Sequence, residues 1–230
     1  MTLTSKSPTP GGDEAETQSA SEVEASPIAQ RFRGYLPVVV DIETGGFNAA
    51  TDAMLEIAAT VTTMDDQGLL QCGETYSYHL KPFEGANIED SALQFTGIKL
   101  DHPLRPAQDE ALALRDLFKH IRAALKEAGC KRAILTGHNA SFDLGFLNAA
   151  IARCDIKRSP FHPFSCFDTA SLAGLSCGQT VLAKACLASG LEFSNESAHS
   201  AIYDAEKTAE LFCHIVNRWK DLGGWPPPPA

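Results

Sequence analysis

Asp41 and Glu43 stand two residues apart in Val38-Val39-Val40-Asp41-Ile42-Glu43, so on a β-strand both carboxylates leave the same face. Crowded carboxylates repel, and their ionised forms become favourable when a hard divalent cation lies between them. Such a D-x-E pair is common on solvated strands and says little alone. Two later segments change that. His138-Asn139-Ala140-Ser141-Phe142-Asp143 sets an Asp at the opening of a predicted helix, and His199-Ser200-Ala201-Ile202-Tyr203-Asp204 sets a His five residues before an Asp at the start of the last long helix. Four carboxylates offer the oxygen ligands that Mg²⁺ prefers, and an imidazole beside them accepts a proton near neutral pH. Such a set suits metal-assisted hydrolysis.

The elements that must position these groups follow from pattern. The β-branched run into Glu43 reads as a buried strand ending at Gly45-Gly46; Leu55 to Thr62 gives a second strand and Thr75 to Leu80 a third, with Gln67-Gly68 as a turn between them. Three successive strands with short links predict an antiparallel meander. Leu114, Leu117, Phe118, Ile121 and Leu125 fall at helical spacing within Glu110 to Ala128, and Gly129 is a natural stop. Ala133-Ile134-Leu135-Thr136 then reads as a parallel crossover strand. Helices are predicted at Phe142 to Arg153, Thr180 to Ser189 and Ala201 to Leu222. The expected class is α/β, a mixed β-sheet flanked by α-helices, with an antiparallel meander joined to parallel strands.

Composition narrows the classes. With 44% apolar and 21% charged residues, the 230-residue chain sits in the ordinary range for a globular protein. No apolar run nears the roughly 20 residues a bilayer span needs, and the N-terminus lacks the apolar segment of a signal peptide. A cytoplasmic address without membrane association is the default expectation. The seven cysteines form no C-x-x-C pair, which argues against a zinc site or a disulfide framework and predicts mostly buried thiols. A net charge of −10 is adverse to nucleic acid, yet five acids against Lys6 alone put −4 of it in the first thirty residues. Part of the remainder would be a carboxylate cluster neutralised by metal. Residues 1–29 are expected to form a disordered N-terminal extension, residues 30–226 the folded domain, and 227–230 a flexible tail.

V-D-I-E-T-G, H-N-A-S-F-D and H-S-A-I-Y-D, in that order over about 160 residues, resemble the three motifs of the DEDDh exonuclease family, whose fold is ribonuclease H-like. The resemblance implies that Asp41, Glu43, Asp143 and Asp204 hold two Mg²⁺ ions, with the use of Mn²⁺ in their place left open, and that His199 is the general base. A related branch carries a catalytic Tyr four residues before the final Asp; Ser200 holds that place here, so the His branch is favoured despite Tyr203. The implied activity is 3′→5′ exonucleolytic hydrolysis releasing 5′-mononucleotides.

Within the family the likeness is to the ribonuclease T branch, carried by Arg31-Phe32-Arg33-Gly34, Gly45-Gly46-Phe47-Asn48, Phe161-His162-Pro163-Phe164 and the stretch from Asn217 to Pro226. It implies that Phe47, Phe95, Phe142 and Phe164 stack on 3′-terminal bases, where the alternative is ordinary core phenylalanines. Ser91 stands where that branch has a Glu touching the terminal base, so the base preference is open. Arg31, Arg33, Lys131, Arg132, Lys157 and Arg158 are candidates for tracking phosphates, against the reading of a solvated face. The resemblance further implies a homodimer, tRNA and other stable RNAs as substrates, and activity on DNA 3′ ends. The rivals are a DNA proofreading or repair exonuclease, a ribonuclease H-type endonuclease and a catalytically silent nucleic-acid-binding module.

Overall fold

The computed structural model describes residues 25–226. The tail expected over residues 1–29 therefore lies outside the described residues up to 24, as does the one at 227–230. Its upper boundary needs correction. Ser26 caps a short helix α1 (Pro27–Arg31), its hydroxyl accepting from the Ala29 amide, and Ile28 and Ala29 are buried. Pro27 fits the first turn of a helix, where a missing N–H costs nothing.

Five strands form one sheet: β1 (Tyr35–Thr44), β2 (Met54–Met64), β3 (Leu70–His79), β4 (Arg132–Gly137) and β5 (Phe161–Asp168), in the order β3-β2-β1-β4-β5. β1, β2 and β3 are the antiparallel meander, whereas β4 runs parallel to β1 and β5 parallel to β4. The remaining helices are α2 (Asp90–Thr96), α3 (Glu110–Glu127), α4 (Ser141–Arg153), α5 (Thr169–Cys177), α6 (Leu182–Ala188) and α7 (Ala201–Asp221). This is the expected α/β class, a mixed sheet of an antiparallel meander joined to parallel strands and flanked by helices.

Cross-strand pairing sorts the side chains. Val38, Val40 and Ile42 lie opposite Val61, Ala59 and Ile57, and all six share one hydrophobic cluster with Leu114, Leu117, Phe118 and Ile121 of α3 and Leu144 and Leu147 of α4. Asp41 and Glu43 pair with Ala58 and Glu56 on the other face. There Ala58 packs with Ala201 and Ala205, which lays the first turns of α7 beside the two carboxylates. Small residues at this contact allow the helix to approach closely. One ion pair ties α3 to α4: Arg153 grips the buried Glu110 through two hydrogen bonds of 2.9 and 2.7 Å.

Four elements escape the sequence pattern. β5 carries Pro163, which argues against a strand; it occupies the sheet edge, where a missing N–H is tolerated. α5 carries Thr169, Ser171 and Ser176 on more than one side among its apolar residues and so shows no helical period, α2 buries no residue, and α1 begins in the stretch expected as tail. The expectation of mostly buried cysteines is also corrected. Cys186 and Cys213 are buried, Cys130, Cys154, Cys166 and Cys177 are half-buried, and Cys72 is exposed.

Candidate active site

β4 runs parallel to β1 and ends just before the level of Asp41, and ligand sites of open α/β sheets gather at such carboxyl ends. The chain leaves β4 at Gly137 and passes through His138 and Asn139 into α4, so Asp143 stands in the first turn of that helix, close to Asp41. Asn139 takes the left-handed conformation (φ 66°), which Asn tolerates, and this tightens the turn. His138 acts as a clasp: Nδ1 lies 3.0 Å from the Thr169 hydroxyl and Nε2 2.8 Å from the Thr180 carbonyl oxygen. Beyond β1, the Gly45-Gly46 turn is dictated by close approach. A Cβ on Gly46 would sit 2.1 Å from Asp52 Oδ2. Buried Asp52 accepts from the Asn48 amide at 2.9 Å and from the Asn87 side chain at 3.1 Å, and so holds the loop that presents Phe47.

The spacing of His199 and Asp204 has a local cause. Ser200 is the N-cap of α7, and the His199 amide donates to Asp204 Oδ2 at 2.9 Å, a reach back from the first turn that pins the preceding loop. The cost to His199 is a left-handed backbone (φ 67°), and strain of that kind gathers at functional sites. One ligand atom from each of Glu43, His199 and Asp204 lies within 4.8 Å of the others. Tyr203 faces elsewhere: its hydroxyl accepts from the Ser194 amide at 2.6 Å and its ring packs on Phe193.

Burial first, and mutual repulsion second, set the proton affinities of the site. Burial, with Asp143, Glu43 and Asp204 nearby, holds the Asp41 carboxyl well above the usual carboxylate range. Burial followed by Asp204 and Glu56 lifts Glu43 to about 7. Burial lifts Asp143 to about 8, against the opposing N–H groups of Asp143 and Ile42 and with help from Glu43 and Asp168. Asp204 is raised by burial and eased by the His199 amide, His199 and His138. Asp204 Oδ1 is buried without a hydrogen-bond partner among the described residues. Carboxylates that repel, together with an orphan oxygen, fit hard divalent cations as the missing compensation.

Three of the four predicted aromatic residues stand outside the core, and Phe142 packs against its edge. Phe47, Phe95 and Phe164 are 84%, 65% and 78% exposed, and Phe142 is half-buried. Phe95 lies 4.1 Å from the His199 ring and Phe47 packs edge-on against Phe142 at 6.3 Å, whereas Phe164 on β5 packs against His162. Ser91 sits in α2, its hydroxyl 3.3 Å from Glu89. Beside His199 opens a hollow of about 390 Å³ lined by Glu56, His79, Ile98, Lys99, His102 and Ser200, among others. Sequence pattern alone misses Glu56 and His79, whose side chains meet at 2.9 Å. An acidic residue inside the buried run of β2 is the signal that could have found them.

The basic candidates gather at the opposite end of the sheet. Arg132 pairs with Tyr35, where β1 and β4 begin, and Arg33 and Lys131 flank them. Asp41 is six residues farther along β1, about 20 Å at strand rise. Arg33, Lys131 and Arg132 are exposed. Arg31 instead stacks on Trp225 at 4.5 Å, Lys157 pairs with Asp155, and the Arg158 carbonyl accepts from Arg122.

A sequence profile of the family described as Exonuclease matches residues 38–212. Among solved structures, E. coli exonuclease I in complex with a dT13 oligonucleotide is similar, with a TM-score of 0.63 at 20% identity over 83% of this chain and 43% of that one. The zinc-bound E. coli exonuclease I complex with single-stranded DNA gives 0.63 at 20% identity over 83% and 42%. This chain thus spans less than half the length of exonuclease I, and identity at that level speaks to fold alone.

Proposed function

Because the chain belongs to the exonuclease family, we propose that it is a metal-dependent 3′→5′ exoribonuclease that trims single-stranded 3′ ends of structured RNAs, including tRNA and other stable RNAs. The observation that carries this reading is the buried acidic cluster around Asp204, with its orphan oxygen, opening beside the exposed Phe95–His199 contact. Asp41, Glu43, Asp143 and Asp204 would hold two Mg²⁺ or Mn²⁺ ions, which when bound supply a hydroxide nucleophile and offset charge on the departing 3′ oxygen. His199, exposed at the rim, accepts the proton of the attacking water at a ring nitrogen. Phe95, Phe47 and Phe142 stack on terminal bases, and the hollow beside His199 receives the 3′ nucleotide. Stacking tolerates any base, which suits an enzyme that meets many ends. Phe164, farther along β5, would serve an upstream base.

Arg33, Lys131 and Arg132 lie too far from their own acidic cluster to touch the same nucleotide. They suit upstream phosphates or, in the homodimer that the ribonuclease T likeness implies, RNA bound at the other subunit's site. Among the described residues no helix is long and apolar enough to cross a membrane, and we place the protein in the cytoplasm. A second reading, DNA 3′-end hydrolysis, is favoured by the DNA-bound state of the similar exonuclease I structures. Hairpins with a 5′ label and matched RNA or DNA 3′ overhangs, incubated with Mg²⁺ or chelator, separate the two. A metal-dependent ladder that shortens one nucleotide at a time, faster on RNA, is expected. Faster loss from DNA would replace the RNA reading, and one internal cut would refute both. Asp143→Asn should abolish the ladder while leaving overhang binding intact.

A further inference from the structure

Cys72 on β3 and Cys213 on α7, 141 residues apart in sequence, bring their sulfurs to 3.9 Å. Both are free thiols. Their setting is rigid. The Asn217 side chain, one helical turn after Cys213, clasps the Leu70 backbone, accepting from its amide at 2.8 Å and donating to its carbonyl at 2.9 Å. Next to Cys72, Gly73 lies so close to β2 that an added Cβ would meet the Val61 carbonyl oxygen at 2.9 Å. The Asn217–Leu70 clasp therefore fixes α7 against β3 beside the sulfur pair, and the Gly73 contact fixes β3 against β2. Other half-buried or buried thiols are engaged with groups other than sulfur: Cys154 with Glu110, and Cys130, Cys177 and Cys186 with backbone carbonyls.

From this geometry we infer that Cys72 and Cys213 form a peroxide-sensitive dithiol, a reversible oxidation site that bolts the metal-binding helix α7 to the outer strand of the sheet. Cys72 is exposed and meets the oxidant first, while buried Cys213 is the resolving thiol. The Cys72 thiolate attacks a peroxide oxygen, forming an S–O bond and releasing the second oxygen, with a proton, as water or alcohol; Cys72 is now a sulfenic acid. Cys213 sulfur attacks that sulfur, the S–O bond breaks, and hydroxide leaves with the Cys213 proton as water. Two thiols lose two electrons and the peroxide gains them. The sulfurs must close from 3.9 Å to the roughly 2 Å of a disulfide, a movement of side-chain size. The pair also tunes its own reactivity: the hydrogen bond from Cys213 holds the Cys72 thiol below its ordinary pKa, against burial, Glu210 and Glu206, with Lys207 assisting.

The pair is tested by treating the full reduced chain with stoichiometric hydrogen peroxide and reading intact mass, thiol count after denaturation and peptide maps. The expected result is loss of two hydrogens, a monomeric band on a non-reducing gel, a thiol count falling from seven to about five, and a linked Cys72–Cys213 peptide that dithiothreitol reverses. The oxidised protein should melt higher than the reduced one. Cys72→Ser should remove the link and the melting shift while keeping basal activity. Cys213→Ser should leave Cys72 as a dimedone-reactive sulfenic acid. Oxidation that spares both residues, links Cys72 to any other cysteine or joins two chains overturns the assignment, as does full retention of seven thiols.

Discussion

Glu43→Gln should make the metal-free protein more stable at the expense of its activity. Glu43 is buried, titrates at about 7 rather than its ordinary 4.5, and has Asp204 and Glu56 as its repelling neighbours. The folded state therefore holds a proton that the unfolded chain releases between about pH 4.5 and 7, so stability falls as pH rises through that window. Above pH 7 the penalty is complete, and the displacement of Glu43 corresponds to about 3 kcal/mol. Asp143, at about 8, acts in the same direction and extends the decline upward. Gln keeps the shape of Glu and removes the charge. At pH 8 in chelator the variant should melt about 6–12 °C above the parent, given roughly 2–4 °C per kcal/mol for a domain of this size. At pH 4, where Glu43 is protonated in both states, the difference should vanish. Mg²⁺ should raise the parent strongly and the variant weakly, because the cation has one repelling carboxylate fewer to neutralise. Differential scanning calorimetry across pH 4 to 8, with and without Mg²⁺, gives the comparison. A variant no more stable than the parent at pH 8, or equally stabilised at pH 4, would refute the electrostatic account.

Three further outcomes are expected elsewhere in the molecule. Phe47→Ala should weaken binding of a 3′ overhang by about 1–3 kcal/mol in fluorescence anisotropy without lowering the melting temperature, because the ring is exposed. Arg153→Ala should destabilise by about 3–5 kcal/mol in urea melts, since it strands the buried Glu110 carboxylate, and Glu110→Gln in the same chain should recover much of that deficit. Replacing Arg33, Lys131 and Arg132 together by Ala should flatten the salt dependence of RNA binding by about 0.7 in log–log slope for each phosphate left unneutralised, whereas Arg31→Ala should act mainly on stability through its stack on Trp225.

The acidic cluster is legible in the sequence because its chemistry is encoded locally. Two carboxylates at strand period share a face whatever surrounds them, and the five-residue step from His199 to Asp204 matches a helix N-terminus that reaches back to hold its own entry loop. The meander and the helices with a clean apolar stripe are legible for the same reason. β5 and α5 are not, because Pro163 obscures an edge strand and a helix whose hydroxyl and apolar residues are interspersed around its axis has no phase.

What the sequence could not decide is whatever depends on neighbours remote along the chain. Exposure of Phe47, Phe95 and Phe164, the turning of Tyr203 toward Ser194, the packing of Arg31 on Trp225 and the meeting of Cys72 with Cys213 all depend on which surfaces the sheet order brings together. A residue's type and spacing fix the direction of its side chain within its element; burial, partner and proton affinity are properties of the assembled environment. For this chain, local order dictated which groups could perform chemistry, and long-range packing dictated how strongly they repel, what they face and which basic side chains stay open to solvent.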